Sequence, residues 1–159
     1  MTSATIRLAG PSDLDAIDTV EAASFDADRF PRRNLRRMLT GGRTIFLIAD
    51  VEKAAAGYLA LSFRDGIGTS RLYSLAITPC ARGKGIGAAL IARAIEETRR
   101  RGLRAIRLEV RETNASARTL YERCGFTLRG RRENYYGDGE AACLYEASAA
   151  SGAKEGAPL

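Results

Sequence analysis

One run, Arg82-Gly83-Lys84-Gly85-Ile86-Gly87-Ala88, constrains this chain more than any other. Upstream of it, Arg71 to Thr78 reads as a strand. Downstream, Ile86, Leu90, Ile91, Ala94 and Ile95 recur at helical spacing, which predicts a helix over 85–101 closed by Gly102. Leu103 to Val110 then alternates, with Ile106, Leu108 and Val110 on one face and Arg107 and Glu109 on the other. Strand, glycine loop, helix and strand make a parallel crossover and commit the chain to a mixed α/β fold. The glycines let backbone approach a ligand closely. The unpaired N–H groups and positive dipole end of the new helix favour an anion, and Arg82 and Lys84 add charge. A pyrophosphate fits such a loop.

The loop alone leaves its guest open. A P-loop needs a hydroxyl residue after its lysine, and Lys84 is followed by Gly85, so that reading fails. A dinucleotide fingerprint is satisfied by Gly83, Gly85 and Ala88, with Glu109 where a ribose-binding acid belongs. Against it, Thr78 to Arg82 separate the strand from the loop, and only one βαβ unit follows the pattern. A third reading is R-x-x-G-x-G, from Arg82, Gly85 and Gly87, behind a strand ending Leu75-Ala76-Ile77. A turn that merely reverses the chain is the bland alternative.

The remaining pattern predicts a strand over Thr5–Ala9 and a helix opened by Pro11-Ser12-Asp13, with Ser12 as its cap and Leu14, Ile17 and Val20 as its buried stripe. A short helix follows from Pro31 to Leu39, then an antiparallel pair, Thr44–Ala49 and Ala54–Phe63. Beyond Val110, Asn114 caps a helix whose Ala117, Leu120, Tyr121 and Cys124 share a face. Strands over Phe126–Arg132 and Ala141–Glu146 flank a loop holding Tyr135, Tyr136 and Gly137-Asp138-Gly139. Residues 1–146 are expected to form one domain and 147–159 a disordered tail.

Composition removes whole classes of chemistry. Among 159 residues there is no histidine, which excludes Ser-His-Asp and Cys-His catalysis and most zinc sites. Cys80, Cys124 and Cys143 form no C-x-x-C pair and read as reduced thiols, so no metal is expected. No apolar run approaches the ~20 residues of a membrane span, and the first residues lack a signal-peptide pattern, so a cytoplasmic protein is expected. Net charge is +6, from 25 basic residues of which 22 are arginine. That balance favours anionic partners. The arginine clusters at 32–37 and 99–101 lack the interleaved aromatics of a single-strand binder, so no direct nucleic-acid binding is expected.

Read alone, Glu109 is a solvated or arginine-paired carboxylate, Tyr121 a core aromatic and Asn114 a helix cap. The order of motifs says more: Leu75-Ala76-Ile77, the R-x-x-G-x-G loop, Leu108-Glu109-Val110-Arg111, Asn114, Leu120-Tyr121-Glu122 and Gly125-Phe126. In these the chain resembles the GNAT family of N-acetyltransferases, over roughly residues 5–146 and best from Leu72 onward. The resemblance implies a GNAT fold: a mixed, mostly antiparallel sheet splayed between two central parallel strands, with helices on both faces. It implies acetyl-CoA as cosubstrate. Leu75, Ala76 and Ile77 would meet the acetyl and pantetheine groups. Arg82, Gly83, Lys84, Gly85, Ile86, Gly87 and Ala88 would hold the pyrophosphate, and Asn114 would contact the coenzyme. Glu109 would act as general base and Tyr121 as general acid. Asn134-Tyr135-Tyr136 before Asp138-Gly139-Glu140 looks like the bacterial ribosomal-protein alanine N-acetyltransferase branch, which implies a protein N-terminal α-amine as acceptor. A small-molecule amine is the alternative, since Phe25-Asp26-Ala27-Asp28-Arg29-Phe30-Pro31 does not match that branch closely. Monomer and homodimer both stay open, and Tyr135 and Tyr136 are candidates for lining the acceptor channel.

Overall fold

The computed structural model describes residues 3–24, 29–64, 66 and 68–150. The chain forms two compact units, Met1–Phe63 with Leu72–Ala94, and Arg64–Arg71 with Ile95–Leu159. The strand β4 and the helix α3 each contribute residues to both.

The first unit holds β1 (Thr5–Leu8), α1 (Leu14–Ser24), α2 (Arg32–Thr40), β2 (Thr44–Val51), β3 (Ala54–Phe63), β4 (Thr69–Ile77) from Leu72 onward, and the start of α3 (Ile86–Arg100). Its strands lie in the order β1-β2-β3-β4, the first three antiparallel. Phe46, Leu47, Ile48 and Ala49 are all buried, because β2 is covered on both faces and needs no polar alternation. Leu14, Ile17 and Val20 of α1 and Leu35 of α2 pack with Phe46, Ile48, Tyr58 and Ala60. Gly57 faces the other way, toward Leu90 of α3. Glu52 and Lys53 join β2 to β3 with φ of 51° and 69°, the two-residue primed turn that matches the twist of a hairpin.

The expected cap at Ser12 is not the one formed. Pro11–Asp13 is a turn of 3-10 helix, which moves the capping position to Asp13: its carboxylate accepts the Gly10 N–H at 2.8 Å and a forked pair from Arg7. The Arg7 guanidinium holds the Asp13 carboxyl below the usual range.

In the second unit the start of β4 runs parallel to β5 (Ala105–Arg111), pairing Thr69 with Ala105, Ser70 with Ile106 and Arg71 with Arg107. That pairing ends at Arg71, although β4 continues to Ile77 and β5 to Arg111. β5 pairs antiparallel with β7 (Ala142–Ser148), and β7 with β6 (Thr127–Arg132). The order is β4-β5-β7-β6. The helix α4 (Ala115–Arg123) is capped by Asn114, whose side chain accepts the Ala117 N–H at 3.2 Å. Tyr145 of β7 binds α4, its hydroxyl donating to Glu122 at 2.6 Å and accepting from Arg118 at 3.0 Å. β7 runs two residues past the predicted end at Glu146. Ala147 is buried, and the Ala149 N–H donates to the Arg104 carbonyl at 2.8 Å, so the start assigned to the tail is sheet. The rest of that tail, 151–159, lies outside the described residues.

Glu21 breaks the helical pattern. It sits beside Val20 in α1 and is fully buried, accepting the Tyr58 hydroxyl at 2.6 Å and the Phe30 N–H at 2.7 Å. Burial raises its carboxyl above the ordinary 4.5, more than the two donors lower it. The folded chain therefore binds a proton at Glu21 that the unfolded chain has released, in the window from about pH 4.5 up to the raised value. The contribution of this carboxyl to stability is present below that window and is lost as pH rises through it. Thermal melts of wild type and Glu21→Gln across that window are expected to show a falling melting temperature in wild type and a flatter profile in the variant.

Candidate functional site

The candidate residues divide between the two units. In the first, β4 alternates so that Tyr73, Leu75 and Ile77 share the more exposed face and Ser74 and Ala76 are buried. The Ile77 carbonyl is occupied: it accepts the Ser24 hydroxyl and the Arg82 Nε, each at 3.1 Å. Arg82 is thus folded back on the strand end. A 3-10 turn, Pro79–Ala81, separates the strand from the glycines, as the dinucleotide fingerprint does not allow. Gly83 and Gly85 have φ of 77° and 80°, the left-handed region that glycine enters without strain, and no atom crowds either. Ala89 N–H donates to the Gly85 carbonyl, so α3 begins here. The N–H groups of its first turn, at Ile86, Gly87 and Ala88, have no intrahelical acceptor. Arg82, Gly83, Lys84 and Gly85 are exposed around them, which makes a cradle of donors and positive charge suited to a phosphate.

Sequence reasoning missed Gly57. A Cβ there would stand 3.0 Å from the Ala76 carbonyl oxygen and 2.7 Å from Ile77 Cδ1. β3 therefore requires a glycine beside the Leu75-Ala76-Ile77 backbone. An apolar strand with one glycine is the available signal.

In the second unit Glu109 lies on the β5 face of Arg107 and Arg111, about a quarter exposed. Arg71 Nη2 pairs with Glu109 Oε1 at 2.7 Å and reaches the Tyr135 hydroxyl at 3.4 Å. Arg71 carried no signal in the sequence, because a charged residue at a strand start reads as solvated. Asn114 is the α4 cap described above. Tyr121 is 7% exposed, its ring against Phe126 (5.6 Å between centroids) and Tyr145 (6.4 Å). Its hydroxyl makes no hydrogen bond among the described residues, yet no fully buried polar side-chain atom there lacks a partner. The hydroxyl therefore opens outward, where a buried tyrosine usually finds an internal acceptor. Burial raises the phenol well above its ordinary value of 10, with the neighbouring Tyr136 and Cys124 adding to the shift.

The 133–141 loop is fixed by Arg111, which pairs with Asp138 and Glu140 at 3.0 Å and lies 4.2 Å over the Tyr136 ring. Tyr135 stands edge-on to Tyr136 at 4.9 Å. On the Glu109 face of β5, β7 and β6 is a groove of about 350 Å³, lined by Arg107, Glu109, Arg129, Arg132, Leu144 and Glu146. Among the described residues no cluster of three or more His, Cys, Asp or Glu could hold a metal. No described helix is long and apolar enough to cross a membrane.

The model of the acetyltransferase (GNAT) family matches residues 14–126. The chain belongs to this family. A Bacillus subtilis protein, provisionally named a ribosomal protein bS18-alanine N-acetyltransferase, is 29% identical over 90% of this chain and 94% of its own length. An uncharacterized N-acetyltransferase of Methanocaldococcus jannaschii is 33% identical over 87% of this chain and 88% of its own. The crystal structure of the Escherichia coli ribosomal-protein-S18-alanine N-acetyltransferase superposes with a TM-score of 0.83 at 27% identity, covering 92% of this chain and 94% of that one. The chain is thus an N-acetyltransferase of the GNAT family, and the mixed α/β architecture expected from the sequence is the one observed.

Valine at Gly85 is disfavoured by its φ of 80° and would fill the open cradle. Calorimetry on Gly85→Val is expected to show acetyl-CoA binding weakened by about tenfold or more, while circular dichroism keeps the wild-type spectrum. Unchanged affinity would remove the loop from the cofactor site.

Proposed function

We propose that this chain transfers acetyl from acetyl-CoA to a protein N-terminal α-amine, of the ribosomal-protein alanine type, in the cytoplasm. The observation that carries the reading is the cradle before α3, with two positive-φ glycines and unpaired N–H groups behind a strand ending at Ile77. The names of the Bacillus and Escherichia coli relatives support the acceptor class.

Acetyl-CoA supplies the acetyl group as a thioester. In this reading the N–H groups of Gly83 to Ala88, with Lys84, hold its pyrophosphate. The backbone of Leu75, Ala76 and Ile77 aligns its arm, the Ile77 amide polarises the thioester carbonyl, and Asn114 contacts the coenzyme. Glu109 takes the proton from the attacking amine, directly or through water, and is the available base in a chain without histidine. Arg71 fixes the orientation of that carboxylate.

Tyr121 offers its unpartnered hydroxyl to the departing thiolate. With the phenol raised by burial, it keeps its proton at neutral pH. It is also a weaker acid than a thiol of about 8.5, so its contribution is a hydrogen bond to developing charge more than a completed proton transfer.

An α-amine with a pKa near ~7.8 is roughly 10–15% neutral at pH 7, whereas a lysine near ~10.4 is far below 1%. A single carboxylate base suits the α-amine. Glu109→Gln is expected to lower kcat/KM by about 10²–10³-fold at pH 7, with the defect shrinking as pH rises and the acceptor arrives already neutral. Tyr121→Phe should cut turnover by about 10²-fold across the whole range with acetyl-CoA affinity kept. Lost stability with turnover intact would return Tyr121 to a core role. Peptide mapping that found only lysine side chains acetylated would overturn the α-amine assignment.

A further inference from the structure

The face of the second unit that carries Glu109 is unevenly charged. Arg107 is paired with Glu146 at 2.8 Å and Arg71 with Glu109 at 2.7 Å. Arg129 and Arg132 line the same groove, are exposed, and have no carboxylate partner among the described residues. Other arginines of this unit show what partners the fold can supply: Arg131, on the same strand, is held by Glu112 and Glu133.

The strand geometry accounts for the placement. A bulge between Leu128 and Gly130 leaves Arg129 without a cross-strand mate, while Arg132 pairs with Ala142. Gly130 stands opposite Leu144 and presents no side chain, so nothing from β6 covers the groove between the two arginines.

We propose that this groove selects acceptors carrying a carboxylate close to the amine, with Arg129 and Arg132 as the specificity-determining residues; the proposal rests on the N-terminal acetyltransferase reading. The preferred substrate is an N-terminus with aspartate or glutamate in the positions just after the acceptor residue. Its carboxylate pairs with two guanidiniums that the fold leaves unneutralised, while a basic segment meets four arginines against two carboxylates. Complementarity of this kind sets partner choice, and at an exposed groove it is modest and sensitive to salt.

The test compares three peptides that share an N-terminal alanine and differ only at the next three positions, being acidic, amide-bearing or basic. Wild type is expected to use the acidic peptide with a kcat/KM about three- to tenfold above its amide counterpart, and the basic peptide least well. The gap should close as salt is raised. Arg129→Glu and Arg132→Glu should abolish or invert the acidic-to-amide ratio, which cancels any loss of folded enzyme. Arg123→Glu, on exposed α4, should leave the ratio as in wild type. Gly130→Val provides a charge-neutral variant: its first carbon would meet Leu144 at 3.6 Å, an ordinary contact, and it should lower use of the acidic peptide by crowding the groove. Equal use of the three peptides by wild type, or a ratio unmoved by both charge reversals, overturns the groove's role and leaves the acetyltransferase reading standing. Turnover of none of them overturns both.

Discussion

A carboxylate withdrawn from water must be met by donors, or its burial costs several kcal/mol. In the first unit Glu21 organises its surroundings around that requirement. It takes the Tyr58 hydroxyl from β3 and the Phe30 N–H at the approach to α2, and Tyr58 in turn shares its oxygen with Ser74 of β4 at 3.0 Å. One side chain thereby sets α1, the entry to α2, β3 and β4 in a single arrangement. Phe30, held by its backbone, stacks on Tyr73 with centroids 5.3 Å apart and planes 15° from parallel. Tyr73 is on the strand face of Leu75 and Ile77, so a buried acid ends up fixing an aromatic wall along the strand assigned to the acetyl group.

Much of this was legible before any coordinates. The glycine loop, the helix behind it and the alternation around Glu109 follow from local rules, since backbone freedom, helical period and strand period are properties of short segments. The cap at Asn114 was readable for the same reason. What stayed hidden depends on partners distant in sequence. Glu21 looks like a solvent-facing acid until Tyr58, 37 residues away, is seen to donate to it. Arg71 becomes part of the Glu109 environment only through the parallel pairing of β4 with β5. Gly57 matters because another strand passes close to it. The misplaced cap at Ser12 has a different cause: Asp13 is a carboxylate with Arg7 at hand, and that pairing outweighed the ordinary preference for serine. Residues 25–28, within the segment that departs from the ribosomal-protein branch, lie outside the described residues.

The absence of histidine and the abundance of arginine shape the chemistry together. Without imidazole the chain has carboxylates as its proton acceptors near neutrality, and most of the carboxylates seen here are already engaged by guanidinium. Asp15, Asp18, Glu96, Glu97, Glu112, Asp138 and Glu146 each hold at least one arginine. These exposed pairs add little stability individually. Their effect is positional: they fix loops and strand ends, as Arg111 does for the tyrosine loop. A carboxylate that must work chemically in such a protein is therefore one whose arginine leaves it reachable, and Glu109, about a quarter exposed beside Arg71, meets that description.

β6 is the outermost strand of its unit, and an outermost strand offers unpaired backbone groups to any other strand that drifts by. Here its residues are Thr127, Leu128, Arg129, Gly130, Arg131 and Arg132, mostly exposed, with the ladder interrupted at Arg129. A second copy trying to add its own β6 would bring arginine against arginine along a ribbon whose register is broken. At the opposite end of the strand order β1 is only four residues long. The irregular, cationic border thus works against strand-by-strand growth of aggregates, and a chain carrying an excess of positive charge remains dispersed at concentrations where a straight, neutral border would stick.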